Sequence, residues 1–242
     1  MRIKLFFTPA GIYDNQIAGK TSVVIDILRA TTVAAVALHN GAREIIPMAT
    51  LGDATGLKQK LDHSSVLLGG EREGQKVEGF DLGNSPFEYG PDIVENKSII
   101  LASTNGSAAL IRGSEAEHCL SCAFVNISSA LEKIIECDSD VAVICAGNKG
   151  GFSLEDALCG GMLLHRLRIA GGGKAVFDND ASWVALEMYR KHRNNLENAL
   201  RRSDHGKFLI SLGFEQDIAF CVKEDSLAVC PIWQQGRLIL KE

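Results

Sequence analysis

The sequence predicts an α/β fold: a layered α/β/α arrangement with a mixed, largely parallel sheet. Short apolar, β-branched runs recur along the chain, and helical stretches separate them. Such runs are typical of strands buried on both faces, and their alternation with helices favours a parallel sheet. The expected strands cover residues 22–27, 44–47, 65–68, 98–101, 141–145 and 175–177.

The length of the chain fits a single α/β domain over residues 1–242, and two intimately packed α/β halves are the alternative. Of the 242 residues, 46% are hydrophobic and 23% are charged, which is close to the average for globular proteins. This composition favours neither a disordered nor a fibrous protein.

The charge balance bears on the partners of the protein. The formal net charge is -5, which argues against a broad surface for nucleic acid or anionic membranes. Pro9 and Gly11 interrupt the apolar start, so no signal peptide is expected. No stretch approaches the run of about 18 apolar residues that spans a membrane. We therefore expect a cytoplasmic protein, in which any anion-binding site is local.

The seven cysteines favour reduced thiols over disulfides, because no export signal precedes them. Cys119 and Cys122 form a C-x-x-C pair beside His118. No second ligand pair follows at the spacing of a zinc site, so zinc or redox chemistry is disfavoured. The simpler interpretation is the end of a loop with two free thiols.

Three segments repeat an order of strand, polar turn and helix, and they begin at Val23, Ile99 and Val141. In open α/β sheets, ligands bind at the carboxyl ends of the strands, so these turns are expected to carry the functional residues. A further stretch, residues 69–92, contains six glycines and two prolines. A segment so long and so poor in apolar periodicity is usually functional or mobile, and its charges favour function.

Two later segments are predicted to be mainly structural. Residues 181–201 are expected to form one long helix with a solvated basic face. Residues 203–231 are expected to form one more helix and then a strand.

The first polar turn places Asp26, Arg29, Thr31 and Thr32 between a buried strand and a helix. Free N–H groups at a helix start and an arginine fork both suit an oxyanion, so the turn resembles half of an anion site. The alternative is that Asp26 or Thr31 caps the helix and Arg29 pairs with a surface acid. In the functional interpretation, removing Arg29 reduces catalysis more than stability.

The second turn carries Thr104, Asn105 and Gly106, which are predicted to face the same ligand, although helix capping explains them equally well. The third turn is rich in glycine but fits neither a P-loop nor the G-x-G-x-x-G fingerprint, which disfavours a nucleotide cofactor. The first interpretation of Ser153 is that it caps the following helix. Glu155 and Asp156 offer the hard oxygen ligands that suit Mg²⁺.

The glycine-rich stretch 69–92 mixes carboxylates, cations and small polar side chains. Phosphoryl transfer requires this mixture, because cations stabilise the transferring group while carboxylates hold a metal or activate water. A surface loop can also show it by chance. The candidates are Glu71, Arg72, Lys76, Asp81, Asn84 and Ser85.

Four blocks of sequence, in this order, resemble the signature blocks of the 2-phosphosulfolactate phosphatase family. They are VVIDILRATTV, GGEREGQKVEGFDLGNSPFEY, ILASTNGSAAL and CAGNKGGFSLEDALCGG. DNDASWVALEMY from Asp178 and SDHGKFLISLGFEQDIAFC from Ser203 resemble later blocks of the family. The resemblance implies Mg²⁺-dependent hydrolysis of 2-phospho-3-sulfolactate to 3-sulfolactate and phosphate, a step toward coenzyme M.

Together, the turns and the resemblance define a set of site residues. The catalytic candidates are Asp26, Arg29, Glu71 and Arg72, and the Mg²⁺ candidates are Asp26, Glu71, Glu155 and Asp156. The candidates for substrate binding are Thr31, Thr32, Lys76, Asn84, Ser85, Thr104, Asn105, Gly106 and Ser153.

Several alternatives remain open at this point. The nucleophile is either Asp26 or a water molecule, and the absence of a D-x-D pattern favours water. The substrate is a small anionic phosphate ester, and another phosphorylated 2-hydroxy acid fits as well. A non-catalytic protein that binds a phosphorylated metabolite is the rival from another class. A homo-oligomer is left open.

Overall fold

The computed structural model describes residues 1–13, 15–61 and 65–241, and eleven strands from these ranges join in one sheet. The strands are β1 (Arg2–Phe6), β2 (Thr21–Ile25), β3 (Glu44–Met48), β4 (Val66–Arg72), β5 (Gln75–Lys76), β6 (Ser98–Ala102), β7 (His118–Cys122), β8 (Val141–Cys145), β9 (Val176–Phe177), β10 (Ile232–Gln234) and β11 (Arg237–Ile239).

The helices in the same ranges are α1 (Ala30–His39), α2 (Leu51–Lys58), α3 (Pro91–Val94), α4 (Gly106–Gly113), α5 (Ile127–Cys137), α6 (Leu154–Ala170), α7 (Asp180–His192), α8 (Leu196–Arg202), α9 (Asp204–Ser211) and α10 (Glu215–Cys221). None of the helices described is long and apolar enough to cross a membrane.

The sheet consists of two parallel groups of strands, which the C-terminal hairpin joins. Its order is β5-β4-β6-β3-β11-β10-β7-β2-β8-β1-β9. Strands β4, β6 and β3 are parallel to one another, and so are β7, β2, β8, β1 and β9, while the short edge strand β5 pairs antiparallel with β4. The hairpin β10–β11 pairs antiparallel with β7 on one side and β3 on the other. The prediction of a layered α/β fold with a mixed, largely parallel sheet is confirmed.

Both faces of the central strands are buried, and alternate residues enter different cores. In β2, Val23 and Ile25 pack in one apolar cluster, and Val24 packs in another. The second cluster also contains Ile45 of β3 and nearly all the apolar side chains of α1. Helix α1 is buried from Ala30 to Leu38, so it forms an inner layer between the two groups of strands. How this chain divides into domains stays a prediction.

Helix α4 lies in the same inner layer as α1. Its Gly113 lies close to Val24 of β2, and its Ala109 and Leu110 belong to the cluster that holds Ile45 of β3. As a result, the starts of α1 and α4 meet, although β2 and β6 lie on opposite sides of the hairpin in the pairing order. This arrangement of the inner helices brings the first and second polar turns together.

The structure corrects three of the predicted elements. The segment 203–231, expected to form one helix and then a strand, forms two helices, α9 and α10, and strand β10 begins only at Ile232. The region expected to be one helix over residues 181–201 forms two, because α7 ends at His192 and α8 begins at Leu196. The C-x-x-C pair lies within strand β7 and not at the end of a loop. Cys119 and Cys122 therefore belong to different apolar clusters, and burial raises the pKa of Cys119 to about 12. Such thiols are poorly suited to joint metal binding, and all seven cysteines are free.

The packing of α6 against α7 supplies a test of the fold. A Cβ atom at Gly161 would lie 2.1 Å from the carbonyl oxygen of Ala185. We expect Gly161→Ala to lower the free energy of unfolding by about 1–3 kcal/mol, because the two helices must separate. Gly56→Ala in α2 is the matched control, since among the described residues no atom outside its own helix backbone lies within 4 Å of its Cβ position. Urea unfolding should show Gly56→Ala to be neutral or stabilising by up to about 1 kcal/mol. Equal effects of the two substitutions would contradict this packing.

Candidate active site

An open cavity of about 980 Å³ lies at the carboxyl ends of β4, β6 and β8. The second and third polar turns and part of the stretch 69–92 contribute to its wall. The residues that line it are Glu71, Arg72, Glu73, Gly74, Gln75, Thr104, Asn105, Asn148, Lys149, Asp204, His205, Phe208 and Leu212. Two smaller cavities of about 20 and 220 Å³ share wall residues with it. The smallest is lined by Asp26, so the first turn reaches the same region.

Asp26 lies directly after β2 and is 7% exposed. The backbone amide of Ala30 donates to its Oδ1 over 3.3 Å. Burial raises the pKa of Asp26 to about 7, and the nearby charges of Glu71 and Glu155 act in the same direction. An acid with such a pKa beside a cavity is a strong candidate for a functional group.

Gly106 allows Asp26 to approach the start of α4. A Cβ atom at Gly106 would lie 2.4 Å from the Cβ of Ala30 and 2.6 Å from Oδ2 of Asp26. Any side chain here would therefore displace the carboxylate or separate the two inner helices. The predicted site residue Gly106 lies where expected, and its structural contribution is the close contact that it permits.

Arg29 is buried and bound to protein groups. Its Nη1 donates to Oδ2 of Asp217 over 2.5 Å, and its Nη2 donates to the carbonyl oxygen of Gly74 over 2.8 Å. The guanidinium also lies 4.4 Å from the ring centre of Phe214. Arg29 therefore joins the first turn to α10 and to the turn after β4. Its fork is largely occupied, which contrasts with the free anion receptor that the sequence suggests.

Glu71 joins the turn after β4 to the turn after β6. Its Oε1 accepts from the backbone amide and the hydroxyl of Thr104, over 3.0 and 2.7 Å, and its Oε2 accepts from the amide of Gly74. Burial raises the pKa of Glu71, but these hydrogen bonds outweigh it and bring the pKa below its ordinary value. Glu71 is thus an anion that holds two of the predicted segments together.

The two threonines of the first turn bond to their own backbone. The hydroxyl of Thr31 donates to the carbonyl oxygen of Asp26 over 2.8 Å, and that of Thr32 donates to the carbonyl oxygen of Ile27 over 3.0 Å. Both side chains are completely buried. This geometry offers their predicted substrate contacts no support. The hydroxyls also do not cap the helix amides, and of the two residues in the capping alternative only Asp26 accepts an amide of α1.

Asn84 and Ser85 are also buried, but they differ in their partners. The hydroxyl of Ser85 donates to Oδ1 of Asp217 over 2.8 Å, so it belongs to the same network as Arg29. Asn84 lines the smallest cavity, and its Oδ1 is buried without a hydrogen-bond partner among residues 1–13, 15–61 and 65–241. An unpaired buried oxygen of this kind is a free acceptor for a ligand or a water molecule.

The third turn places its acids at the start of α6. Ser153 caps the helix by accepting from the amide of Asp156 over 3.2 Å. Both carboxylate oxygens of Asp156 accept backbone amides, from Ile27 and Gly147, so this side chain ties the third turn to the first. Glu155 is 3% exposed and lines the cavity of about 220 Å³ together with Ser153. Burial raises the pKa of Glu155.

The carboxylates of the site fit a cation that takes most of its ligands from water and from the substrate. In the part of the chain that the structure describes, no group of three or more His, Cys, Asp and Glu side chains is arranged to hold a metal ion. The oxygens of Glu71 and Asp156 already accept hydrogen bonds, and Ser153 and Ser203 also hydrogen-bond to Glu155. Asp26 accepts one backbone amide, at Oδ1. Mg²⁺ commonly takes one or two carboxylates and completes its shell with water and phosphate oxygens, so these residues fit that mode of binding.

The cationic wall of the open cavity differs from the predicted one. Arg72 lines the cavity as expected, but Lys76 is exposed on β5 and outside the wall. Lys149, which the sequence did not single out, lies on a tight turn closed by hydrogen bonds between Asn148 and Gly151. Positive φ angles of 50° at Lys149 and 76° at Gly150 form this turn. The turn places an ammonium group at the cavity.

His205 is the most important residue that the sequence analysis overlooked, because it lines all three cavities. It is the second residue of α9, whose cap Ser203 accepts from the amide of Gly206. Burial lowers the pKa of His205, and the charges of Arg29 and Lys149 lower it further. The available signal was its position in the SDHGKF block, between a helix cap and a glycine.

Comparison with known proteins adds independent information. A family described as 2-phosphosulpholactate phosphatase matches residues 6–236 of the chain. A protein of Clostridium beijerinckii named "Probable 2-phosphosulfolactate phosphatase" is 35% identical over 238 residues, which is 98% of this chain and 99% of the relative. Proteins with the same name from Caldanaerobacter subterraneus subsp. tengcongensis and Thermotoga maritima are 36% and 40% identical over 236 and 223 residues. These matches cover 98% and 92% of this chain, and 97% and 93% of the relatives.

Proposed function

The chain belongs to the 2-phosphosulpholactate phosphatase family, which consists of phosphoric monoester hydrolases, and from this premise we propose its reaction. The resemblance of the sequence blocks to this family is confirmed. The proposed reaction is the Mg²⁺-dependent hydrolysis of 2-phospho-3-sulfolactate to 3-sulfolactate and phosphate. We place it in the cytoplasm, as a step toward coenzyme M.

The convergence of four chain segments on one cavity carries this proposal. Asp26, Glu71, Thr104 and His205 come from four separate parts of the chain and all line the cavity of about 20 Å³. The adjoining open cavity adds the cations Arg72 and Lys149. Carboxylates that can hold a cation, together with cations that can receive acid groups, are what a doubly charged phosphate ester with two further acid groups requires.

Mg²⁺ would be held by Asp26 and Glu155, two buried carboxylates from the first and third polar turns. A bound Mg²⁺ supplies positive charge to phosphoryl oxygens during transfer. The raised pKa values of Asp26 and Glu155 support this assignment: burial is the main cause for both, nearby acids add to it, and a bound cation would favour the ionised forms. The site thus favours a divalent cation on electrostatic grounds.

The remaining residues position the substrate in this proposal. The amides at the start of α4 and the side chain of Asn105 would contact the phosphate group, and Thr104, whose hydroxyl donates to Glu71, lies beside it in the cavity wall. Arg72 and Lys149 receive the carboxylate and sulfonate in the open cavity. Arg29 and Asp217 hold the surrounding loops in place through their ion pair.

The direct test is phosphate release by the purified protein. 2-Phospho-3-sulfolactate, with excess Mg²⁺, should give stoichiometric 3-sulfolactate and phosphate, and chelator should abolish the reaction. The same assay with other phosphorylated 2-hydroxy acids shows whether one of them is a better substrate. Binding of these esters without phosphate release from any of them would instead support the non-catalytic alternative. Measuring the molecular mass of the protein in the same buffer tests whether it forms a homo-oligomer.

Two lysines provide a test of the substrate-binding wall. We expect Lys149→Ala to raise KM roughly tenfold with little change in kcat, because it removes one charged contact that does not depend on the reaction step. Lys76→Ala is the matched control, since this exposed lysine lies outside the cavity wall. Steady-state kinetics of both variants decide between the two lysines. If Lys76→Ala raised KM more than Lys149→Ala did, Lys76 would be the substrate-binding lysine, as the sequence predicted.

A further inference from the structure

The cavity of about 20 Å³ has room for one water molecule. Its wall contains polar side chains from every converging segment, among them Asp26, Asn84, Ser103 and His205. It shares Glu71, Gly74, Thr104, Asn105 and His205 with the open cavity, so the two adjoin each other. A water molecule here would lie next to a phosphate group that enters from the open side.

Asn84 supplies an unused acceptor at this point. The residue is 5% exposed, and its Oδ1 has no hydrogen-bond partner within the described ranges. The neighbouring Ser85 is bonded to Asp217, which restrains the backbone that carries Asn84. A buried amide oxygen without a partner is costly unless something occupies the space before it. One water molecule satisfies this requirement.

His205 supplies a proton acceptor for the same space. The Ser203 cap holds the first turn of α9, and a Cβ atom at Gly206 would lie 1.8 Å from the carbonyl oxygen of Leu200. The backbone around the imidazole is therefore tightly packed. The charged groups that act on it are Arg29 and Lys149, which favour the neutral ring, and Glu71, which opposes them. A neutral imidazole can accept a proton.

We propose that the small cavity holds the attacking water, that Asn84 Oδ1 accepts a hydrogen bond from it, and that His205 is its general base. This inference rests on the proposed phosphatase function and assigns its nucleophile. As the water oxygen bonds to phosphorus, one of its protons passes to the imidazole. The bond from phosphorus to the ester oxygen breaks, and its electron pair leaves with that oxygen. The released alkoxide takes a proton from solvent in the open cavity, and His205 returns its proton to solvent.

This assignment makes Asp26 a non-nucleophilic residue and predicts the stereochemistry of the reaction. A single in-line attack by water inverts the configuration at phosphorus, whereas two successive displacements through a phosphorylated Asp26 retain it. The experiment uses the wild-type protein with Mg²⁺ and an isotopically chiral phosphate ester of the best substrate. We expect inversion. Retention, or a phosphorylated Asp26 trapped during turnover, would overturn the proposal while leaving the phosphatase function intact.

A second experiment isolates His205. We expect His205→Ala to lower kcat by roughly 10²- to 10⁴-fold, the range for loss of a general base. Added imidazole should restore part of kcat, since a small base can enter the space that the side chain leaves. His192→Ala, at the end of α7, is the matched control and should show neither effect. A folded His205→Ala variant with near-normal kcat, or with a deficit that imidazole leaves unchanged, would refute the role.

Discussion

Arg29→Ala is expected to lower the free energy of unfolding by about 3–5 kcal/mol, because it leaves Asp217 buried without a counter-charge. Arg29 and Asp217 are 2% and 3% exposed at their side chains, and their nearest atoms are 2.5 Å apart. The substitution also removes the donor to Gly74 and leaves a void against Phe214. This result would reverse the expectation from the sequence, in which loss of Arg29 affects catalysis more than stability.

The measurement is urea unfolding of Arg29→Ala, of Asp217→Leu and of the double variant Arg29→Met with Asp217→Leu. The double variant should recover much of the loss, because it removes both charges and refills the volume. Arg112→Ala is the matched control, since that arginine makes a partly exposed ion pair with Glu115, and it should change stability by less than about 1 kcal/mol. If Arg29→Ala were as mild as Arg112→Ala, the buried ion pair would have no such structural role.

The ion pair of Arg29 with Asp217 also explains how the site is assembled. Asp217 accepts from both Arg29 and Ser85, and Arg29 donates to Gly74. One buried carboxylate of α10 therefore holds the first turn and two parts of the stretch 69–92 in register. The effect of Arg29 on turnover should consequently follow from displacement of these segments.

Most of the strands that the sequence predicted have both faces buried, and the partly exposed edge strand β9, expected at residues 175–177, is the exception. Residues 141–145 and 98–101 are continuous apolar runs, and the structure places strands at Val141–Cys145 and Ser98–Ala102. The hairpin β10–β11 was missed because each of its strands has only three residues. Strand β7 was missed because its cysteines suggested chemistry, although in a strand they behave as small apolar side chains.

The site was predictable only where the general rule for α/β sheets applies. Asp26, Thr104 and Asn105 follow strands and Glu71 lies at the end of one, and the carboxyl ends of strands are where ligands bind in such folds. His205 and Asp217 lie on α9 and α10, which reach the site through long-range packing that no local pattern reveals. Arg29 was located correctly, but its buried partner lies 188 positions away in the sequence.

Asp26→Asn is expected to lower kcat by roughly 10²-fold or more, because it removes one of the two carboxylates proposed to hold Mg²⁺. In metal-free buffer, the same substitution should stabilise the folded protein at high pH. The folded-state pKa of Asp26 is about 7, above its ordinary 3.8, so ionisation of this group opposes folding. The shift of about three units corresponds to on the order of 4 kcal/mol.

The sign of the pH dependence follows from these two pKa values. Below the ordinary pKa of 3.8, Asp26 is protonated in both states, and its shift has no effect on stability. As the pH rises toward 7, the unfolded state loses its proton first, so the wild type becomes progressively less stable than Asp26→Asn. Above about 7 the difference should be constant and at its largest.

Chemical denaturation of the wild type and Asp26→Asn across this pH range, with chelator present, measures the difference directly. Asp92→Asn, at an exposed position in α3, is the matched control and should track the wild type at every pH. Mg²⁺ should then narrow the gap at high pH, because a cation bound to Asp26 stabilises only the ionised wild type. Parallel curves for the wild type and Asp26→Asn would mean that Asp26 ionises as an ordinary carboxylate. The case for a cation beside Asp26 would then lose its electrostatic basis.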